Sequence, residues 1–82
     1  MTDKSFAKIV STVATLCRCQ TSDILADKRA KPVQRAKQIV AIVLRDRGLS
    51  YPEIGQWMNE AHNTALYQVR RFEQEVAHAP TP

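Results

Sequence analysis

The chain has 82 residues, 44% of them apolar and 24% charged, with 12 Lys and Arg against 8 Asp and Glu for a net charge of +4. That length holds one small domain and leaves no room for a second, catalytic one, and the composition is too apolar for a disordered chain. A basic balance suits acidic partners such as nucleic acid, but only where the fold gathers the charge on one face.

Taken in chain order, Phe6, Ile9, Val10, Val13, Leu16 and Cys17 recur at three- and four-residue steps. This spacing predicts an amphipathic helix over about Ser5 to Arg18 that serves as a core strut. Cys17 and Cys19 lack a second pair and would point to different faces of a helix, so free, semi-buried thiols are expected, with no metal site and no disulfide. Ser22-Asp23-Ile24-Leu25 sets a capping residue before an apolar pair, which predicts one short helical turn. A basic loop, Lys28 to Pro32, comes next.

The following stretch, about Val33 to Arg47, has a centre that is apolar on nearly every side, Ile39-Val40-Ala41-Ile42-Val43-Leu44. Periodicity alone would also allow a buried strand there. The helix-favouring flanks Gln34 to Gln38 and Arg45 to Arg47, and Gly48 as a stop, decide for a central buried helix. Lys28, Arg29, Lys31, Arg35, Lys37, Arg45 and Arg47 all fall within this part of the chain, whose only acid between Lys28 and Arg47 is Asp46.

Ser50 and Glu53 stand three apart and can satisfy each other's exposed backbone donors, while Pro52 sits where a helix tolerates a missing N–H. They predict a fourth helix from Ser50 to about Met58 that buries Ile54, Trp57 and Met58. A fifth, from about Ala61 to Ala77, places Ala65, Leu66, Val69, Phe72 and Val76 on one stripe, with Asn63, Tyr67, Arg70, Arg71 and Gln74 largely off it. Residues 79–82 are expected to fray. The expected fold is therefore all-α: one compact domain over 1–82, core about 5–77, of about five helices. The last two meet at a tight corner as a helix-turn-helix, and His62, Asn63 and Thr64 are short donors and acceptors where a recognition helix meets base edges.

Catalysis finds little footing. Gly48 and Gly55 are the only glycines, no His-Glu-x-x-His is present, and His62 and His78 are isolated. A non-enzyme without cofactor is expected. No segment has the apolar length to span a bilayer and the N-terminus lacks a signal core, so a cytoplasmic, nucleoid-associated location is expected.

The order Lys28-Arg29, then Arg35-x-Lys37-Gln38, then Leu49-Ser50-Tyr51-Pro52-Glu53-Ile54-Gly55, then His62-Asn63-Thr64-Ala65-Leu66, then Arg70-Arg71-Phe72-Glu73, resembles the C-terminal DNA-binding domain of the bacterial replication initiator DnaA. The likeness covers roughly residues 5 to 77 and implies a helix-turn-helix fold of the Trp-repressor and DnaA C-terminal kind. It implies double-stranded DNA as the partner. The basic loop would enter a minor groove, with Arg29 as reader and Lys28 and Lys31 beside it. Arg35, Lys37 and Gln38 would approach the duplex at the third helix's start, and Arg45 would hold a phosphate. Ser50, Tyr51 and Pro52 would lay the fourth helix on the backbone. His62, Asn63, Thr64 and Ala65 would read bases, and Arg70 and Arg71 match the basic pair further along.

Ala61, Asn63 and Ala65 replace the family's aspartate, first threonine and valine, and the turn is one residue shorter. Asn63 can still bond adenine twice and Ala65 offers a methyl to thymine, so a different or relaxed target site is implied. The expected role is a small, free-standing regulator of transcription or replication initiation, of phage or mobile-element type, as monomer or homodimer. The rival reading is a helical protein-interaction module that docks on a replication or transcription protein through the fifth helix. Each site residue also has a plain structural use, as a cap, a core side chain or a surface ion pair.

Overall fold

The computed structural model describes residues 1–26, 28, 30–60 and 62–77, with His62 and Ala77 described by backbone alone. Five helices make up its regular structure: α1 (Asp3–Cys17), α2 (Thr21–Ile24), α3 (Lys31–Asp46), α4 (Tyr51–Trp57) and α5 (His62–Ala77). The fold is all-α, as the spacing of apolar residues predicts. The expected frayed tail at 79–82 lies outside the described residues.

Each helix end has a local cause. α1 begins at Asp3, two residues before the expected start, because the Thr2 hydroxyl accepts the Ser5 N–H at 3.1 Å. It stops where Arg18 turns left-handed, at φ 58°, and the Cys19 N–H returns to the Ala14 carbonyl at 3.0 Å. α3 starts at Lys31 rather than Val33. Pro32 falls within the first turn, whose N–H groups have no helical partner in any case, so its missing donor costs nothing there. At the far end, Gly48 takes φ 92° and the Leu49 N–H reaches the Leu44 carbonyl at 3.2 Å. A Cβ on Gly48 would touch nothing within 4 Å, so glycine is favoured there by its backbone angle alone.

α3 is the central helix, and it packs against all four others. Val40, Ala41 and Leu44 on α3 are sealed from water, together with Ile24 of α2, Ile54 of α4, and Ala65 and Val69 of α5. α1 supplies Phe6, Val10, Val13 and Ala14, and the Phe6 ring lies 4.9 Å from that of the half-buried Trp57, tilted by 37°. The small side chains Ala36, Ala41 and Ala65 are fully buried where the helices pack. On the expected stripes Ile9, Cys17, Leu66 and Phe72 are half-buried, and two residues are mostly exposed. Leu16 stands 74% exposed because α1 packs through its Phe6–Val10–Val13–Ala14 stripe, and Val76 stands 58% exposed in the last turn of α5, beyond the sealed part of its stripe. Cys17 and Cys19 are free and half-buried, and burial, then Cys17 and Asp23, push the Cys19 thiol up. Among the described residues, no helix is long and apolar enough to cross a membrane and no three metal-binding side chains cluster.

Candidate nucleic-acid interface

α4 begins on a reciprocal cap and packs with α5 over a shared apolar floor. The Ser50 N–H donates to Glu53 Oε1 at 2.9 Å while the Glu53 N–H donates to Ser50 Oγ at 3.3 Å. The Ser50 N–H, and after it the Ser50 side chain, favour the ionised acid and hold the Glu53 carboxyl below its ordinary range. The corner is made by Asn59 at φ 57°, a left-handed position that asparagine tolerates better than most residues, and by the Glu60 N–H bonded to the Gly55 carbonyl at 2.7 Å. Below the corner, Ile54 and Met58 pack with Ala65 and Val69, all at most 1% exposed. Rotation of α5 is thereby fixed. Asn63, Thr64, Tyr67 and Arg70 face solvent as one polar stripe.

Three residues that the resemblance assigns to the duplex lie inside instead. Ala65 is fully buried, four residues before Val69 on the core stripe, so its methyl meets side chains and cannot meet a base. Lys37 is 7% exposed, and its Nζ donates to the Ala26 carbonyl at 2.6 Å. It ties the end of the α2 segment to α3. Gln38 is also 7% exposed, and its Oε1 has no partner within hydrogen-bond reach. Burial speaks against direct DNA contact at these three positions: Ala65 closes the core, and Lys37 and Gln38 show only 7% of their surface, at the edges of clefts.

The remaining cations are outside, in different states. Lys28 is exposed and bonds Asp23 at 2.6 Å; that bond, with the Gln20 N–H, holds the Asp23 carboxyl below its ordinary value. Lys31 and Arg70 are exposed and pair with no acid among the described residues. Arg35 and Arg71 share Glu75, at 2.7 and 3.2 Å, and Arg35 also lies 6.0 Å from the centre of the Phe72 ring. Arg45 donates to the Leu49 carbonyl at 3.0 Å and stacks 4.8 Å over the Tyr51 ring, so it is held at the α3–α4 joint. Ser50 is spent on its cap, and Pro52 is exposed beside it. Arg29 and Ala61 lie outside the described residues, as does the side chain of His62.

A pocket of about 280 Å³ shows how these parts meet, since Ala26, Lys37, Asn59, Glu60 and Thr64 all line it. The segment that leads into the basic loop therefore adjoins the start of α5. A second cleft gathers Lys31, Arg35, Gln38 and Arg71, which sets the start of α3 beside the second half of α5. Sequence reasoning left Tyr67 out of the site. Its 61% exposure and its place four residues after Asn63 put it on the same stripe, and that spacing was the available signal.

Glu60 gives this corner a pH dependence. Burial pushes its carboxyl above the ordinary 4.5, against the opposing pull of the Lys37 charge and a Gln68 hydrogen bond. With the folded pKa raised, the folded state binds the extra proton, so stability falls as pH rises from about the unfolded pKa through the folded one. Glu60→Gln should therefore raise the melting temperature at pH 7, by about 1–3 °C because water screens a half-exposed group. The gain should vanish below the ordinary carboxylate range, which melting curves across pH would show.

A sealed α4–α5 corner with a projecting polar helix defines a helix-turn-helix domain. The match to known sequences then gives the lineage. This chain belongs to the bacterial DnaA protein helix-turn-helix family, whose sequence model matches residues 6–71. It is 32% identical over 77 residues to the chromosomal replication initiator protein DnaA of Citrifermentans bemidjiense, and equally to that of Geobacter sp. strain M21. In both cases the match takes in 92% of this chain and 17% of the relative, so the chain spans about a sixth of the length of these curated relatives.

Proposed function

We propose that this chain binds double-stranded DNA with sequence preference, laying α5 in a major groove, and regulates replication initiation or transcription. The observation that carries the reading is the exposed stripe Asn63, Thr64, Tyr67 and Arg70, on a helix locked to the core, in a member of this family. Asn63 offers the donor and acceptor that match adenine's N6 and N7, Thr64 adds a hydroxyl, and Tyr67 brings a flat apolar edge with a polar tip. His62 opens the same helix. Arg70, with Arg71 once it leaves Glu75, takes phosphates and sets the register without reading sequence.

The other supports are spread around this helix. Arg45, held against Tyr51, presents its charge beside Pro52 at the start of α4, where a backbone phosphate would rest. Lys28, Arg29 and Lys31 form the basic segment for an adjacent minor groove, in which width and potential favour cations. With Ala65 buried, the thymine-methyl contact that the sequence suggested is absent from the scheme. Base discrimination then rests on Asn63, Thr64 and Tyr67.

Selection of bound sequences from a random duplex pool tests the proposal directly. An enriched motif with no internal symmetry marks one copy per site, a palindrome marks two, and no enrichment at all ends the claim of sequence preference. Asn63→Ala should reduce discrimination at one position by about 1–3 kcal/mol with little change in non-specific affinity. Arg70→Ala should weaken all sequences alike. The reverse pattern would place the reading head elsewhere.

A further inference from the structure

We propose that the groove between α1 and α3 is a docking site for an amphipathic helix of another protein, one whose apolar stripe is bordered by Asp and Glu. The groove encloses about 520 Å³ and is floored by Ile9, Val13, Leu16, Ile39 and Val43. α1 turns one stripe into the core, so the neighbouring one is only partly covered: Ile9 is half-buried against the core's edge and Leu16 stands at 74% exposure. On α3, Ile39 and Val43 are only half-buried. Two neighbouring helices that present such residues at helical spacing form a trough into which the ridge of a third helix fits.

The rim selects the partner's charge. Lys8 borders the groove from α1 and Arg47 from just past the end of α3, and no carboxylate lines it. A second copy of this chain would bring the same two cations against them, so a symmetric dimer through this face is disfavoured by like charge. A helix with acidic flanks meets both demands at once: it covers Leu16 and neutralises Lys8 and Arg47. The groove shares no lining residue with the polar stripe of α5, so a partner here leaves α5 free.

The test uses the whole chain and fluorescent synthetic peptides of about four turns, with leucines at helical core spacing flanked by glutamates, or by lysines as the control. The glutamate peptide should bind about tenfold more tightly than the lysine one. Amide shifts in two-dimensional NMR should cluster on Ile9, Leu16, Ile39 and Val43. Leu16→Glu, at an exposed site, should weaken the glutamate peptide about tenfold without lowering the melting temperature. The double change Lys8→Glu with Arg47→Glu should invert the preference. Equal binding of the two peptides, shifts confined to α5, or self-association that buries Leu16 would each overturn the proposal.

Discussion

Affinity for duplex DNA should fall roughly a hundredfold between about 50 and 200 mM salt, because each phosphate neutralised releases condensed counterions. Exposure and pairing set the size of the effect. Lys37 is buried, and Arg35 and Arg71 are already matched by Glu75. Among the described residues, Lys31, Arg45 and Arg70, together with Lys28 once it exchanges its single Asp23 bond for a phosphate, remain as exposed cations that can meet DNA. About four contacts give a log–log slope near −3.6, and a fourfold rise in salt then costs roughly two powers of ten. Titrations at several salt concentrations measure that slope. A value near −5 would mean that Arg35 and Arg71 leave Glu75 on binding, as weak exposed pairs can. A slope near zero would remove DNA from the account and favour the protein-docking reading.

That estimate is smaller than the sequence alone would give, and the reason is instructive. The cluster from Lys28 to Arg47 is legible as charge, but spacing does not say where a long, flexible side chain ends. Lys37 finds the Ala26 carbonyl, eleven residues back, a contact made only when the α2 segment folds over α3. Motif matching assigns Gln38 and Ala65 to the interface, although periodicity alone already sets Ala65 on the apolar stripe of α5. The burial of Gln38 follows from how α3 packs, which no local pattern records.

Local chemistry was far more legible. The Ser50–Glu53 pair marks the start of α4 to within one residue, Gly48 marks the end of α3, and the flanks of residues 39–44 separate helix from strand correctly. These depend on neighbours within a turn or two of the chain. Apolar periodicity was right about helices but generous about burial. It identifies an oily face without saying whether a second helix is there to cover it, and among the described residues Leu16 and Val76 are mostly exposed.

The contrast between two leucines turns this into the largest expected effect on stability. Leu44 is wholly sealed, in the last turn of the helix that touches every other, and Leu16 on α1 is mostly exposed. Leu44→Ala should cost about 2–5 kcal/mol, from the apolar surface lost and the cavity left behind. A domain this small holds only about 5–15 kcal/mol in total, so its melting temperature should drop by about 10–30 °C. Leu16→Ala, the same change of side chain, should stay within about 0.5 kcal/mol. Thermal melts of the two variants decide the matter, and similar losses in both would mean that Leu16 is covered in solution. DNA affinity measured well below the Leu44→Ala melting point should be close to the parent's, because Leu44 touches no surface. A large loss there would mean that the set of α4 against α5 depends on how α3 packs beneath them.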